Sequence, residues 1–390
     1  MKKPSHYNSV GSSIGAVLGS SLGSLLRSNK VQQLTRDSLL KMDPEIAHQT
    51  TIAALRLGMR VKQPIPDSEL LKTHICGLEF KNPIGMAAGF DKNAQVSAAL
   101  GDMGFGFCEV GTITPRPQEG NEKPRLFRLL KQEAIINRMG FNNEGHEAAY
   151  KRLKKQTKDH KLNNIVGVNI GANKDSEDFV ADYVSGVKLF SDVADYLTMN
   201  ISSPNTKGLR DLQSNEALKR LLGETLAERA RAKIFVPIFL KIAPDLNKKQ
   251  LDEIAKLVIE SDLDGLVISN TTISRDMIEK EENSEEKGGL SGKPIFNLST
   301  QKLAQMRLRV GNDLPIIGVG GIYSAKSAIE KLKAGANAIQ LYSALVYGGM
   351  ELIDEIKAGL VIEVRKGKHN NVDDLVGLNV KDWASGKVHI

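Results

Sequence analysis

The segment from Asn200 to Thr206 reads NISSPNT and concentrates polar side chains that could bind or process a ligand. It offers two asparagine amides and three hydroxyl groups, all of which can donate and accept hydrogen bonds. It contains no carboxylate, histidine or cysteine, so the usual acids, bases and nucleophiles are absent from it. An apolar, strand-like run precedes it, which places these groups where a strand ends. The segment therefore raises the question of which chemistry uses amides and hydroxyls without a conventional base.

Seven other apolar runs also end in glycine or in a small or polar residue, and most are followed by a helical pattern. The eight runs are PIGMAAG (83–89), GFCEVGT (106–112), IVGVNIG (165–171), YLTMNIS (196–202), PIFLKIA (237–243), GLVISNT (265–271), PIIGVGG (315–321) and AIQLYSA (338–344). Nearly continuous apolar strands are typical of a parallel sheet that is buried on both faces. Eight strands alternating with helices predict an α/β fold, a closed (β/α)8 TIM barrel, rather than an open sheet.

The ends of these strands predict the location of a functional site, because the chemistry of such barrels occurs where the strands end and the following loops begin. One polar strand end alone would indicate only capping. Here all eight strands end in this way, so they predict one shared mouth. The residues at these ends are Ala88, Gly89, Lys92, Thr112, Asn169, Asn200, Ser203, Lys241, Asn270, Thr271, Gly320, Gly321, Tyr342 and Ser343.

Two features of the predicted mouth indicate an anionic cofactor. The loops after strands seven and eight of this fold commonly bind phosphate through bare backbone N–H groups, and GVGGI (318–322) follows strand seven. Lys241 lies inside the apolar run FLKIAP, where an unpaired charge would be costly, so it requires an anionic or electron-rich partner. The alternatives are a tight glycine turn and a lysine at a strand end that reaches solvent.

Composition excludes several other classes of function. Residues 1–36 carry five basic residues and no acid, so they account for +5 of the formal net charge of +7 and leave the remainder at +2. No general basic surface for nucleic acid is therefore indicated. The two cysteines, Cys76 and Cys108, are far apart in the sequence and match no metal-binding spacing, so neither a metal site nor a disulfide framework is predicted.

The N-terminal region has a different character. Residues 10–26 are uncharged but rich in serine and glycine, and basic residues flank them, so residues 1–35 resemble a targeting segment with a weak membrane anchor. A disordered tail is the alternative. Asp43 followed by Pro44 predicts the start of a helix, and residues 31–42 predict a shorter amphipathic helix before it. Such a pair either packs on the barrel or dips into a bilayer surface.

Several long motifs, taken in order, resemble one family. They are NPIGMAAGFDKNA (82–94), FGFCEVGTITPRPQEGNEKPRLFRL (105–129), INRMGFNNEG (136–145), GVNIGANK (167–174), NISSPNTKGLR (200–210), SNTT (269–272), GGLSGKP (288–294) and VGGI (319–322). Together they resemble the class 2 dihydroorotate dehydrogenases, which are membrane-associated, quinone-reducing enzymes with FMN. The resemblance covers residues 36–365. It implies a quinone-entrance domain of two amphipathic helices at 36–65, an FMN-binding barrel at 66–365 and a C-terminal tail at 366–390.

The resemblance also implies a role for individual residues. FMN would contact Ala88, Gly89, Lys92, Thr112, Asn169, Asn200, Lys241, Ser269, Gly292, Gly321, Tyr342 and Ser343. The pyrimidine substrate would contact Lys92, Asn137, Met139, Gly140, Phe141, Asn200, Asn205, Asn270 and Thr271. The family's catalytic base corresponds to Ser203, and His48 and Arg128 correspond to positions that line its quinone tunnel. Met139 stands where the family commonly has tyrosine, so its side-chain surroundings differ while its backbone contact is expected to remain.

The function implied is oxidation of (S)-dihydroorotate to orotate in de novo pyrimidine biosynthesis, with FMN as hydride acceptor and a ubiquinone-type quinone as final electron acceptor. The expected location is the mitochondrial inner membrane in a eukaryote, or the periphery of the bacterial inner membrane otherwise, in contact with membrane lipid. One alternative is a soluble FMN barrel dehydrogenase that uses fumarate or NAD. Serine at position 203 disfavours it, because that class uses cysteine there. Another is an inactive flavin-binding or membrane scaffold.

Overall fold

The computed structural model describes residues 29–60, 66–158 and 164–390, and the predicted barrel is confirmed. Its eight parallel strands pair in chain order and close on themselves, since the first and last are also neighbours. They are β3 (Ile84–Met86), β4 (Phe107–Ile113), β7 (Ile165–Ile170), β8 (Tyr196–Asn200), β9 (Ile238–Ile242), β10 (Gly265–Ile268), β12 (Ile316–Val319) and β13 (Ala338–Leu341). Seven of the eight predicted runs contain one of these strands completely, and the run 106–112 contains all of β4 except Ile113.

At the amino-terminal ends of its strands, the barrel is filled by aromatic rings that lie opposite glycines. Phe107 and Tyr196 pack edge to face at 6.4 Å between ring centroids, and Tyr196 packs on Phe239 at 5.4 Å. A Cβ atom at Gly85 would lie 2.4 Å from the ring of Phe107, and one at Gly167 would lie 2.1 Å from that of Tyr196. The alternation of glycine and aromatic residues on neighbouring strands thus closes this end of the barrel, which leaves the opposite end for a ligand.

Helices surround the barrel and bury their apolar faces against the strands. They are α3 (Ser97–Asp102), α4 (Gly145–Lys158), α5 (Phe179–Phe190), α6 (Asn215–Arg231), α7 (Lys248–Glu260), α8 (Phe296–Val310), α9 (Ala325–Lys333), α10 (Ser343–Gly348) and α11 (Glu351–Lys366). Several begin at side-chain caps, as where Asn247 and Gln250 form a capping box at the start of α7. The segment after Lys366 also packs on the barrel, because Trp383 in α12 (Val380–Ser385) is 1% exposed and donates to Glu330 at 2.9 Å.

Two small sheets lie outside the barrel. Strands β1 (Thr73–Ile75) and β2 (Leu78–Phe80) form a hairpin. Strands β5 (Leu126–Leu129), β6 (Ala134–Asn137) and β11 (Gly289–Gly292) form a three-stranded antiparallel sheet. Strand β6 ends at Asn137 and β11 ends at Gly292, so this second sheet carries two of the predicted site residues to the mouth of the barrel.

Two helices precede the barrel, as predicted. Helix α1 spans Asn29–Lys41 and therefore includes the expected boundary between residues 35 and 36. Helix α2 spans Pro44–Arg56, and the Asp43 carboxylate accepts the backbone N–H groups of Glu45 and Ile46, both at 3.0 Å. The exposed large apolar side chains in and after this pair are Leu34, Ile46, Leu57 and Met59. None of the helices among the described residues is long and apolar enough to cross a membrane. The uncharged segment 10–26, where a weak anchor is predicted, lies outside the described residues.

Candidate active site

The carboxyl ends of the barrel strands, the loops that follow them and the small β5–β6–β11 sheet surround one deep cavity. The space between its walls, including the part open to solvent, is about 1240 Å³, and a concave site lined by apolar groups with a few convergent polar ones is typical of ligand binding. Most of the predicted site residues line it. They are Ala88, Gly89, Lys92, Thr112, Asn137, Met139, Gly140, Phe141, Asn200, Ser203, Asn205, Lys241, Ser269, Asn270, Thr271, Gly292, Gly321, Tyr342 and Ser343.

Three predicted residues do not line this cavity. Asn169 is fully buried behind Thr112, whose hydroxyl donates to the Asn169 Oδ1 at 2.5 Å. His48 lies on helix α2 and reaches the back of the site through Tyr342. Arg128 lies on β5 and donates from one guanidinium nitrogen to the backbone oxygens of Leu40 and Met42, at 3.0 and 2.8 Å. Its contacts therefore hold the turn between helices α1 and α2.

The polar segment after β8 forms one wall of the cavity. Ser203 is 5% exposed, and its hydroxyl oxygen accepts the backbone N–H of Asn205 at 3.2 Å. The Asn205 amide in turn donates to the backbone oxygen of Asn137 at 3.1 Å, so it joins this segment to the end of β6. The hydroxyl of Thr206 is buried and has no hydrogen-bond partner within the described part of the chain.

The loop that carries Ser203 is anchored at both ends. Arg210 donates to the backbone oxygens of Ser202 at 3.0 Å and Thr271 at 3.3 Å, and forms an ion pair with Asp245 at 2.9 Å. Leu209, next to it, is completely buried. Because Arg210 spans the ends of β8 and β10, the polar groups on both strands are held at a fixed separation.

Two lysines give the cavity its positive charge. Within the described part of the chain, the side-chain ammonium of neither Lys92 nor Lys241 has a hydrogen bond or ion pair to a protein group, although Lys241 is only 5% exposed. Burial lowers the pKa of Lys92 to about 8, against the opposing effect of Glu45. Burial also lowers the pKa of Lys241, against the opposing charge of Glu109. Two unpartnered ammonium groups in one cavity indicate anionic ligands.

Backbone groups after strands β12 and β13 complete a cradle for an anion. The N–H of Gly321, which lies outside every helix and strand, has no acceptor within the described residues. Ser343 follows β13, and its hydroxyl lies 2.8 Å from that of Ser291 on β11. Free backbone N–H groups on these loops suit a phosphate, and Lys241 suits an electron-rich ring. The residues present therefore fit an anionic flavin such as FMN.

An aromatic group joins helix α2 to this cavity. The rings of His48, Phe90 and Tyr342 pack edge to face, with centroids 5.6 Å apart for His48–Phe90 and for Phe90–Tyr342. The Nδ1 atom of His48 lies 3.1 Å from the Tyr342 hydroxyl. Burial, with the charge of Lys92, lowers the pKa of His48 to about 3, so this imidazole is neutral at physiological pH. His48 is thus packed behind the cavity wall, in contact with Tyr342, rather than being an ordinary exposed helix residue.

A buried ion pair fixes helix α2 to the cavity wall. The Arg125 guanidinium contacts both carboxylate oxygens of Glu45, at 2.7 and 3.1 Å, and it also donates to the backbone oxygens of Glu119 and Asn121 at 2.6 and 2.7 Å. Burial raises the pKa of Glu45, but Arg125 and Lys123 together outweigh this effect and the net pKa is lowered. The amide of Asn121 then donates to the backbone oxygen of Asn205 at 3.2 Å. The helix pair and the polar segment are therefore connected through one loop.

We expect Arg125→Met to loosen helix α2, because it leaves the Glu45 carboxylate buried without its main partner. Breaking a buried ion pair from one side costs about 3 to 5 kcal/mol. The opening free energy of α2, measured by hydrogen exchange of its amides, should fall by about this amount. Lys123→Met is the matched control, since Lys123 contacts the same carboxylate at 3.4 Å but is 64% exposed. It should cost less than about 1 kcal/mol, and equal losses in the two variants would contradict the assignment.

Sequence reasoning missed several residues that support the site. Gln340 on β13 lines the cavity, as do the apolar residues Leu126 and Ile295. Glu109 on β4 is 1% exposed in the barrel interior, behind Asn169. A carboxylate inside the apolar run FCEVGT is the signal that could have found it, by the same reasoning that singled out Lys241.

Comparisons with known proteins agree with this geometry. A family model described as dihydroorotate dehydrogenase matches residues 70–363. The dihydroorotate dehydrogenase (quinone) of Rhizobium etli is 52% identical over 362 residues, which cover 92% of this chain and 99% of that protein. The enzyme of the same name from Brucella anthropi is 51% identical over 361 residues, covering 92% and 98%. A crystal structure of ligand-free DHODH from Eimeria tenella matches with a TM-score of 0.84 and 39% identity, over 86% of this chain and 99% of that one.

Proposed function

Since the chain belongs to the dihydroorotate dehydrogenase family, we propose that it oxidises (S)-dihydroorotate to orotate with a quinone as the final electron acceptor. It is an oxidoreductase acting on a CH–CH bond, in de novo pyrimidine biosynthesis. The observation that carries the proposal is the position of Ser203 in the wall of a cavity that is also lined by five asparagines and two lysines with unpartnered ammonium groups. That set of groups answers the question raised by the polar segment.

The substrate is a flat ring with amide groups and one carboxylate, and each has a matching group in the cavity. The Lys92 ammonium would pair with the carboxylate. The amides of Asn137, Asn200, Asn205 and Asn270 would satisfy the ring carbonyl and N–H groups, since an amide side chain can both donate and accept. Further contacts would come from the backbone of residues 139–141 and from Thr271. An amide-lined site rejects analogues that cannot form these bonds, because its own polar groups would stay unpaired.

Oxidation requires that a proton leave C5 of the ring and a hydride leave C6. Ser203 would accept the C5 proton, and its own proton would leave through the free hydroxyl of Thr206 and a water molecule. A serine hydroxyl is a poor base at neutral pH, so it depends on this simultaneous transfer. Phe141 lines the same cavity and would keep bulk water away from the relay.

We propose FMN as the prosthetic group. When bound, FMN supplies the acceptor for the C6 hydride. Lys241 would face its electron-rich ring, and Gly321, Tyr342 and Ser343 would hold its phosphate through the loops after β12 and β13. The remaining contacts would come from Ala88, Gly89, Lys92, Thr112, Asn200, Ser269 and Gly292, with Asn169 acting from behind Thr112.

The quinone would approach between helices α1 and α2. These helices expose Leu34 and Ile46, and Leu57 and Met59 are exposed just beyond them, which suits a surface that rests on membrane lipid. His48 would contact the quinone near the Tyr342 hydroxyl, and Arg128 would shape the tunnel by holding the turn between the helices. The curated relatives described above come from bacteria, which favours peripheral attachment to a bacterial inner membrane over a mitochondrial location.

The colour of the purified protein tests this function. The protein should be yellow, should bleach when dihydroorotate is added without oxygen, and should regain its absorbance with a ubiquinone analogue. Recovery with fumarate or NAD in place of quinone would favour the soluble dehydrogenase, and failure to bleach would favour the scaffold. Both outcomes would contradict the proposal.

We expect His48→Ala to slow only the second of these two reactions. The variant removes a neutral imidazole from the proposed quinone path and leaves the groups that bind dihydroorotate intact. Reoxidation by the quinone analogue should slow by about tenfold, the value of one hydrogen bond with its packing, while bleaching stays within about twofold of the wild-type rate. Gln49→Ala, at the exposed neighbouring position on α2, is the control and should change neither rate. Equal slowing of both reactions by His48→Ala would argue against a quinone role.

A further inference from the structure

The Glu109 carboxylate lies inside the barrel and is surrounded by hydrogen-bond donors. It accepts from the Asn169 Nδ2 at 2.7 Å, the Gln340 Nε2 at 2.9 Å, and the hydroxyls of Tyr196 and Thr198, both at 3.1 Å. Within the described part of the chain it forms no ion pair. A carboxylate has only acceptors to offer, so each of these neighbours must point a hydrogen toward it.

Gln340 donates to Glu109 and itself lines the cavity, but the requirement reaches the asparagine amides of the site through Asn169, along a chain of side-chain hydrogen bonds. Because the nitrogen of the Asn169 amide faces Glu109, its oxygen faces Thr112 and accepts that hydroxyl's proton at 2.5 Å. The proton of Thr112 is then committed, so its oxygen accepts from the Asn200 Nδ2 at 3.0 Å. The Asn200 oxygen consequently accepts from the Ser202 hydroxyl at 2.9 Å and from the Asn270 Nδ2 at 3.2 Å.

At the cavity end of this chain of hydrogen bonds, one donor and one acceptor remain free to bind a ligand. The Asn200 amide gives one hydrogen to Thr112, and its second N–H has no protein acceptor among the described residues. The Asn270 nitrogen gives its hydrogens to Asn200 and Ser202, and the Asn270 oxygen accepts the Thr271 N–H at 2.8 Å with one lone pair to spare. Asn200 thus presents a donor and Asn270 an acceptor, the complement of a neighbouring carbonyl and N–H on a cyclic amide.

We propose that Glu109 is a positioning residue that fixes the donor and acceptor directions of the Asn200 and Asn270 amides, and thereby selects a cyclic amide in one orientation. The proposal rests on the function proposed above. It explains why a carboxylate without an ion pair lies in the barrel interior: a neutral amide there could point either way, and the chain of bonds would have two arrangements. If the direction of these hydrogen bonds were reversed, Asn200 would present its oxygen to the ring carbonyl. Two acceptors would then face each other, and both would stay unpaired.

Glu109→Gln tests the proposal in the flavin-loaded enzyme. The variant keeps the shape of the side chain but replaces one acceptor oxygen by an NH₂ group, so the direction of the hydrogen bonds is no longer fixed. Where that NH₂ group faces Asn169 rather than the hydroxyls of Tyr196 and Thr198, the Asn169 amide must turn or lose its bond. The dissociation constant of orotate, measured by calorimetry, should rise by about 10- to 100-fold. The KM for dihydroorotate should rise with it, while kcat changes much less, since Ser203 does not belong to the chain.

A second substitution should restore the direction of the chain. In the double variant Glu109→Gln with Asn169→Asp, the glutamine NH₂ donates to the new carboxylate, whose other oxygen accepts from Thr112. The two positions together keep one acid and one amide. Orotate should bind the double variant at least about tenfold more tightly than either single variant. Thr198→Val is the control, because it removes a donor to Glu109 that does not lead to the cavity, and orotate affinity should stay within about twofold.

The outcomes separate this inference from the proposed function. If the wild-type enzyme neither binds orotate nor bleaches with dihydroorotate, the proposed function fails and the inference fails with it. If the wild type does both, three results would each overturn the inference alone: Glu109→Gln binding orotate as the wild type does, no recovery in the double variant, or Thr198→Val causing an equal loss. Should the Glu109 variants not fold, Thr112→Val breaks the chain one step later and should weaken orotate binding by about tenfold or more, with recovery in Thr112→Ser; the absence of either effect would overturn it.

Discussion

Replacing Ser203 by alanine should lower the rate at which dihydroorotate bleaches the flavin by about 10²- to 10⁴-fold, the range contributed by a positioned general base. Orotate should bind the variant with nearly unchanged affinity. Ser203 is buried in the cavity wall, and the one hydrogen bond that its hydroxyl accepts there, from the Asn205 N–H, belongs to a turn within its own loop. Loss of the hydroxyl therefore removes the proposed proton acceptor and leaves the asparagine amides and Lys92 in place.

Rapid mixing of the oxygen-free protein with dihydroorotate measures this rate directly, because it separates the first half-reaction from quinone reduction. Thr206→Val should lower the rate of bleaching by less than Ser203→Ala does. The Thr206 hydroxyl has no partner among the described residues, so its loss should affect little besides the proton relay. Ser203→Cys places a thiol at the same position, and its activity should rise with pH as the thiolate forms. If dihydroorotate bleaches Ser203→Ala at the wild-type rate, the proposal that Ser203 is the base is contradicted.

Much of the fold follows from local patterns in the sequence. The Asp43–Pro44 pair predicts the start of helix α2, because a cap and a proline both act within one turn. The eight apolar runs predict the barrel strands, because burial on both faces leaves a continuous apolar signature in each strand. The polar strand ends then predict the mouth, since the closed topology brings all eight together. These inferences need only neighbouring residues and one rule of barrel architecture.

The supporting contacts of the site have no such local signature. The His48–Tyr342 contact joins residues 294 positions apart, and the Glu45–Arg125 pair joins residues 80 positions apart. Asn169 pairs with Gly111, and the register between β4 and β7 shifts at Thr112, so that Asn169 lies behind Thr112. The strand ends alone do not reveal such a shift. Partner choice of this kind depends on how elements pack, and packing is decided by the whole chain. The family resemblance supplied the residue roles, but the hydrogen-bond directions around Glu109 required coordinates.

Lys92→Met should raise the KM for dihydroorotate strongly and abolish the pH dependence that this lysine gives to binding. Removing one partner of a buried charge pair costs about 2 to 5 kcal/mol, which corresponds to about 30-fold to several thousandfold in kcat/KM. Burial lowers the pKa of Lys92 to about 8 in the ligand-free cavity. Below this pH the ammonium is charged and can pair with the substrate carboxylate. Above it the amine is neutral, so the substrate must bind together with a proton, and affinity falls by up to about tenfold per pH unit.

A profile of kcat/KM from about pH 6 to about pH 10 tests whether substrate binding weakens as Lys92 loses its proton. The wild-type value should fall as pH rises past about 8, whereas Lys92→Met should give a low value without that fall. Lys92→Arg keeps a charge throughout the range, so it should also lose the fall near pH 8, at reduced affinity because a guanidinium has a different shape. Lys207→Met is the control, since Lys207 is exposed on the loop after Ser203 and should leave the profile unchanged. If the fall near pH 8 persists in Lys92→Met, another group titrates there. The proposal that Lys92 pairs with the substrate carboxylate would then be contradicted.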